Sequence, residues 1–297
     1  MTPRTLTILA TLGLIAMTAV WGSTFVLIKD VLGRMPVADF LAVRFVVAAL
    51  AMLVLFGRQV WRLGAVQIRR GLLLGMIYGI GQLVQTWGLA LISPSVSGFA
   101  TGMYVVFTPI LALLVLRQRV AARVWLAIAV ATAGLALLTL DGVEINLGVW
   151  LTLASAACYA LHIVLLGQWS HHGEAFGLSA VQMVAIAVVC SLATLPHGPM
   201  LPPDPGAWFV VLYMALIAGA GAMVMQTWAQ SHLPAARAAI VMTTEPVFAA
   251  AFAVLLGVDA LTWRMLAGGG LVLAAMYLVE LLPRRDKPPA EAVHHEV

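Results

Sequence analysis

The sequence predicts an all-α integral membrane protein whose ten transmembrane helices form two inverted repeats of five helices each. Three observations lead to this fold class: the composition, a series of membrane-length apolar runs, and a weak internal repeat. Hydrophobic residues make up 63% of the 297 residues and charged residues only 9%, with a mean hydropathy of +1.03. A soluble domain carries about 25% charged residues. The composition therefore excludes an ordinary soluble globular protein.

Ten apolar runs have about the 20 residues that a helix needs to cross the hydrocarbon core of a bilayer. They cover residues 6–28, 36–56, 71–92, 96–116, 124–140, 147–169, 176–195, 208–230, 235–256 and 261–282. The first run is too long for the apolar region of a signal peptide, so it is predicted to be an uncleaved span. The connections are short, and each helix is therefore expected to pack against its neighbours in sequence.

The distribution of basic residues predicts the orientation. If the N-terminus lies in the cytoplasm, the cytoplasmic side holds twelve of the sixteen Lys and Arg residues, the opposite side three, and one lies within a span. Cytoplasmic loops carry such an excess. Both termini are therefore predicted to be cytoplasmic, in a multi-pass protein of the bacterial inner membrane. The polar tail, residues 283–297, is predicted to be disordered.

Short matches at offsets of 137 to 141 residues indicate an internal duplication. They pair Trp21 with Tyr159, Ala42-Val43-Arg44 with Ala180-Val181-Gln182, Gln85-Thr86-Trp87 with Gln226-Thr227-Trp228, and Pro109 with Pro246. Because each copy holds an odd number of helices, the second copy enters the membrane in the opposite sense. The predicted repeats span residues 1–142 and 143–282.

Glu245 lies near the middle of the ninth apolar run, directly before Pro246. An ionisable group at that depth normally faces a cavity or a charged partner, because burial in lipid costs about 2.5–3.5 kcal/mol. Proline bends a helix, and Pro109 in the fourth run is predicted to produce a similar kink. Glu245 is the leading candidate for coupling, binding a substrate ammonium in one state and a proton in the other. A permanent pair with a neighbouring helix is the alternative.

Further polar and aromatic residues inside the spans are candidate substrate contacts. Tyr78, Gln82 and Gln85 share one helical face, which indicates either a wet cavity or hydrogen bonds between helices. The remaining candidates are Trp21, Tyr104, Tyr159, His162 and Gln226. His162 is either a proton carrier or a hydrogen-bonded packing residue. Glycines at a spacing of four in the third run are expected to permit close helix packing: Gly71, Gly75 and Gly79.

Arg44 lies within the second span. It can attract a substrate carboxylate. It can equally be a structural cation that reaches helix carbonyls or Asp39.

The chain resembles the EamA family of the drug/metabolite transporter superfamily. The likeness is carried by Ala19-Val20-Trp21-Gly22-Ser23, by Arg44, by the prolines of spans four and nine, and by the duplication itself. This resemblance implies a ten-helix bundle, alternating access, and export of small metabolites such as amino acids, with proton coupling expected.

Two other functions stay open at this stage. Within transport, the alternative is efflux of lipophilic cationic drugs. Outside transport, the alternatives are a membrane-embedded enzyme and a passive scaffold.

The sequence lacks the motifs of the common catalytic and metal sites. It has no Walker loop, HExxH, CxxC or nucleophile elbow. An enzyme, a catalytic residue, a metal and a cofactor are therefore not expected. The expected partners are a small-molecule substrate, the lipid bilayer and a proton as counter-ion, with no nucleic acid, in a monomer or weak homodimer.

Overall fold

The computed structural model describes residues 3–92, 94–117, 122–139, 146–171, 173–196, 198–256 and 261–281. These residues form helices and turns, and no β-strand occurs among them. The helices are α1 (Pro3–Leu32), α2 (Val37–Trp61), α3 (Ala65–Leu91), α4 (Pro94–Gly102), α5 (Tyr104–Leu116), α6 (Ala122–Thr139), α7 (Leu147–Trp169), α8 (Ala175–Leu192), α9 (Pro205–Ala215), α10 (Ala222–Gln230), α11 (Ala235–Met242), α12 (Glu245–Leu255) and α13 (Trp263–Leu281). The tail predicted to be disordered lies outside the described residues.

Each of the ten predicted apolar runs is occupied by one helix or by a broken pair of helices. Seven of the helical segments are long and apolar enough to cross a membrane, judged by length and composition. Three shorter apolar helical segments accompany them in the described part of the chain: Ala100–Leu116, Val124–Leu137 and Leu266–Ala275. The protein is therefore a multi-pass, all-helical membrane protein.

The ninth run is two short helices rather than one bent helix. Helix α11 ends at Met242, and α12 begins at Glu245. The hydroxyls of Thr243 and Thr244 donate to the carbonyls of Ile240 and Val241, three residues back, at 2.6 and 2.8 Å. Pro246 has no N–H to continue the helical ladder. The interruption therefore lies at Thr243 and Thr244, and Pro246 is the second residue of α12.

The fourth run is two helices that meet ahead of Pro109. Helix α5 runs through Pro109, and the kink expected at this residue stays a prediction. The break lies at Met103, between α4 and α5. The backbone N–H groups of Val106 and Phe107 both donate to the Met103 carbonyl, which starts the new helix there. Proline can be carried inside a transmembrane helix when neighbouring groups supply hydrogen bonds, and Thr108 donates to the Tyr104 carbonyl at 2.7 Å.

A π-helical turn, Leu216–Gly221, joins α9 to α10. Such turns widen the helix by one residue and often occur at functional sites. Its sequence, LIAGAG, is rich in small residues but gave no signal in the hydropathy pattern.

The expectation that helices pack against their sequence neighbours is wrong for most of the bundle. The largest interfaces join the two halves of the chain: α2 with α8, α3 with α7 and α8, α6 with α13, and α1 with α12. The pattern is reciprocal. Helices α4 and α5 contact α7 much as α11 and α12 contact α1. Close approach needs small residues, and these lie on the surfaces that face the other half.

The glycine stripe of α3 shows how the halves fit together. A Cβ added to Gly75 would lie 2.4 Å from the carbonyl oxygen of Gln182, and one added to Gly71 would lie 2.7 Å from Val181. A Cβ on Gly79 would meet Val189 at 3.1 Å. The three glycines therefore let the backbone of α3 lie directly against α8, as their spacing predicts.

Candidate functional site

A central cavity of about 760 Å³, open solvent at its mouth included, lies between the helices of both halves. It is lined by Trp21, Thr24, Ile28, Arg44, Tyr78, Gln82, Gln85, Thr86, Leu89, Thr101, Tyr104, Tyr159, His162, Ile163, Gln226, Met242 and Glu245. Helices α1, α2, α3, α4, α5, α7, α10, α11 and α12 therefore all contribute to its wall.

The cavity wall includes all nine residues that the sequence singled out as substrate contacts. They come from helices far apart in the chain, and the fold brings them to one place. Their roles in binding and coupling stay predictions. The residues that the sequence reasoning missed include Thr24 and Thr86, whose hydroxyls donate to the carbonyls of Trp21 and Gln82 at 2.7 Å each. Their positions one turn from predicted site residues were the available signal. No signal in the sequence distinguished the apolar residues of the cavity lining, which are Ile28, Leu89, Ile163 and Met242.

Glu245 faces this cavity from the first position of α12. The break before α12 places the carboxyl at a helix N-terminus, where the unpaired N–H groups carry partial positive charge. Its side chain is half-buried and forms no ion pair or hydrogen bond within the described residues. The alternative of a permanent pair with a neighbouring helix therefore finds no partner in the described part of the chain.

Arg44 reaches the same cavity from α2 and is buried. Its Nε donates to the carbonyl oxygen of Met214 at 3.3 Å, just before the π-helical turn. Asp39, the other structural partner considered, instead accepts from the backbone N–H of Met200 at 3.0 Å. One edge of the guanidinium is thus held by a helix carbonyl. Arg44 and Glu245 form no ion pair with one another.

A chain of hydrogen bonds crosses one wall of the cavity. Gln82 Nε2 donates to Tyr159 Oη at 2.7 Å, and Tyr159 Oη donates to Gln85 Oε1 at 2.7 Å. Gln85 Nε2 then donates to Thr101 Oγ1 at 2.9 Å. These bonds tie α3 to α7 and α4, so the polar stripe of α3 joins helices and lines the cavity at once.

Aromatic rings form the adjacent wall. The ring centroids of Tyr78 and Tyr159 are 5.2 Å apart, and the Tyr78 and His162 rings meet edge to face at 5.1 Å. Trp21 lies on α1, and its indole N–H donates to the carbonyl of Ala218 at 2.8 Å. With its N–H satisfied, the Trp21 ring is held in place by the π-helical turn.

Two of the residue pairs from the internal repeat line the cavity, and a third pair does not. Trp21 and Tyr159 both line the cavity, from α1 and α7, and Gln85 and Gln226 line it from α3 and α10. Gln182, the counterpart of Arg44, lies on α8 behind His162, and His162 Nε2 is 2.8 Å from Gln182 Oε1. One member of this pair is therefore charged and faces the cavity, while the other is neutral and supports a lining residue.

Comparison with known proteins identifies the family of this chain. The EamA-like transporter family matches residues 8–140 and again residues 146–281. The chain belongs to the EamA-like transporter family. An uncharacterized transporter of Archaeoglobus fulgidus is 28% identical over 272 residues, covering 92% of this chain and 86% of that protein. A crystal structure of another protein shares the fold, with a TM-score of 0.77 at 16% identity over 94% of this chain and 99% of that one. The protein is thus a membrane transporter of the drug/metabolite type.

Proposed function

We propose that this transporter moves a small zwitterionic metabolite, with amino acids and related compounds as the expected class. The observation that carries the proposal is the presence of one carboxyl, Glu245, and one guanidinium, Arg44, in a single cavity without an ion pair between them. An unpaired charge at membrane depth is expensive and indicates a ligand or solvent pathway. A zwitterion supplies the two opposite charges, its ammonium for Glu245 and its carboxylate for Arg44.

The transport mechanism proposed is alternating access with proton coupling, in the direction of export. Glu245 binds the substrate ammonium when ionised, and a proton replaces the ammonium after release. Its place at the break between α11 and α12 supports this role, because a short helix can rotate about such a break. Broken helices that meet at a central site are a recurring feature of secondary transporters.

The membrane arrangement proposed has ten spans, formed by two inverted repeats of five, with both termini in the cytoplasm. The reciprocal packing of the halves supports the inverted duplication. The excess of Lys and Arg on the side of both termini supports the orientation. The expected location is a bacterial inner membrane, as a monomer or weak homodimer.

Efflux of lipophilic cations is a second candidate, favoured by the aromatic wall. Trp21, Tyr78, Tyr104 and Tyr159 all face the cavity that holds Glu245, and aromatic faces attract cations. A cation would, however, leave Arg44 without a counter-charge in the same cavity.

The experiment that tests the proposal is a thermal-shift screen of the purified protein against the L-amino acids, followed by counterflow of the strongest binder in proteoliposomes. Cationic dyes form the comparison set. Binding and saturable counterflow of an amino acid, with no response to dyes, is the expected result. A response to dyes alone would replace the main proposal with the second one.

A further inference from the structure

A chain of hydrogen bonds behind His162 determines which nitrogen of the neutral ring carries the hydrogen. Thr227 Oγ1 donates its hydrogen to the carbonyl of Met223 at 2.8 Å. The Thr227 oxygen therefore accepts from Gln182 Nε2, at 3.4 Å. Gln182 then presents Oε1, which has no hydrogen, to His162 Nε2 at 2.8 Å. Nε2 must carry the hydrogen, so Nδ1 of the neutral ring is a bare acceptor.

That Nδ1 atom is buried and has no partner among the described residues, and His162 lines the cavity. His162 itself is 0% exposed. Gln226 is 2% exposed and also has a buried acceptor without a partner. Its Nε2 donates to Gln230 Oε1 at 3.1 Å, whereas its Oε1 has no partner in the described part of the chain. Buried polar atoms in folded proteins are nearly always hydrogen-bonded.

The two acceptors lie on helices that are fastened together. Gln230 Nε2 donates to the carbonyl of Ile163 at 2.7 Å, which joins α10 to α7 beside His162. Tyr104, from α5, adds a buried hydroxyl that also has no partner within the described residues. The cavity lining thus includes buried polar atoms that form no hydrogen bond within the described residues, in addition to Glu245 and Arg44.

We infer that His162 Nδ1 and Gln226 Oε1 form a side-chain subsite for an amino acid that carries a neutral N–H donor, and that the two hydrogens of a primary carboxamide fit it best. This inference rests on the proposed function. Glu245 and Arg44 are complemented by the ammonium and carboxylate of the substrate, so a charged side chain would lack a counter-charge. An apolar side chain would leave both acceptors unpaired.

Matched pairs of substrates test the subsite in proteoliposomes that contain the full-length protein. L-Glutamine and L-methionine have similar length, and only glutamine offers side-chain N–H groups; L-asparagine and L-leucine form the second pair. Sites built to bond a donor strongly reject analogues without it. We expect the amides to compete for counterflow at least about tenfold better than their apolar partners. Gln226→Met should remove most of this preference, whereas Gln168→Met, an exposed change of the same kind at the end of α7, should retain it.

The outcomes separate this inference from the proposed function. If no amino acid competes, the proposed function fails; if amides and apolar partners compete equally, the subsite is wrong and amino-acid transport stands. A second measurement does not depend on any variant's activity. Nitrogen-15 NMR of labelled histidine, assigned by comparison with His162→Gln, should show an unprotonated Nδ1 that shifts on addition of L-glutamine but not of L-methionine. A protonated Nδ1 in the free protein would overturn the inference.

Discussion

Trp21 and Ala218 are joined by a 2.8 Å hydrogen bond from the indole N–H to the backbone carbonyl. Ala218 lies in the π-helical turn Leu216–Gly221. In such a turn the backbone hydrogen bonds span five residues instead of four, so the partners of its carbonyls differ from those in an α-helix. Arg44 donates to the carbonyl of Met214, two residues before the same turn. One cavity residue from the first half of the chain therefore bonds the irregular turn, and a second bonds the end of α9 that leads into it.

Replacing Trp21 with phenylalanine should loosen that turn. The change keeps an aromatic ring but leaves the Ala218 carbonyl without its donor, which typically costs about 1–3 kcal/mol. We expect a lower melting temperature and faster hydrogen exchange at residues 216–221. Trp87→Phe is the matched control, since Trp87 is 43% exposed on the surface of α3. Equal exchange at residues 216–221 in both variants would show that the hydrogen bond does not hold the turn.

Glu245→Gln should abolish proton-coupled counterflow while leaving the protein folded. The amide is nearly isosteric but cannot ionise, so it neither pairs with an ammonium nor takes up a proton. Glu174→Gln is the control, because Glu174 lies outside the cavity and accepts a hydrogen bond from Gln67. Counterflow that is unchanged in Glu245→Gln would refute the coupling role.

Gly75→Ala should destabilise the interface between α3 and α8. The added methyl would lie 2.4 Å from the Gln182 carbonyl and 2.6 Å from Ala185 Cβ, and overpacking of this kind costs about 1–3 kcal/mol. Gly57→Ala in α2 meets no atom within 4 Å and should be neutral or stabilising by up to about 1 kcal/mol. Thermal unfolding of the two variants in detergent measures the difference. A neutral Gly75→Ala would mean that the helices can separate at little cost.

Tyr159→Phe should lower the stability of the protein, and Tyr104→Phe should not. The Tyr159 hydroxyl bonds both Gln82 and Gln85, so its removal should lower stability by about 1–3 kcal/mol. The buried Tyr104 hydroxyl has no partner within the described residues, so its removal should leave stability unchanged or raise it slightly. If that hydroxyl contacts substrate, Tyr104→Phe should instead weaken ligand binding in the thermal-shift assay. A stability loss in Tyr104→Phe equal to that in Tyr159→Phe would contradict this assignment.

The environment of Asp204 should make the folded protein less stable in acid. The backbone N–H of Ala207, followed by Arg34 at 2.8 Å, lowers the pKa of this carboxyl below its usual 3.8. A depressed folded-state pKa gives stabilisation that is complete above the unfolded pKa and is lost as pH falls through the folded one. Below about pH 4, the melting temperature of the native protein should therefore fall more steeply than that of Asp204→Asn. Parallel curves would show that the cap and ion pair contribute nothing measurable.

The apolar runs predicted the helices well, because hydropathy over 20 residues reports directly on membrane insertion. The nine candidate residues were found because polar groups inside such runs are rare and need a reason. The break at Met103 was missed because a proline shows where a helix loses a backbone hydrogen bond, and the helix can be interrupted elsewhere. The π-helical turn and the Met214 and Ala218 carbonyls were missed because backbone acceptors leave no mark in side-chain patterns. The role of Gln182 required the positions of three residues at once.

The scarcity of contacts between sequence neighbours has a consequence for biogenesis. Helices α2, α3 and α6 find their main partner surfaces on α7, α8 and α13, which are synthesised later. During translation, we expect α2, α3 and α6 to lie in the bilayer as loosely associated helices. The glycine face of α3 is then not yet covered by α8. Maturation is then a late assembly step, and a chain that ends after Thr139 should be cleared by membrane proteases rather than accumulate as a half-transporter.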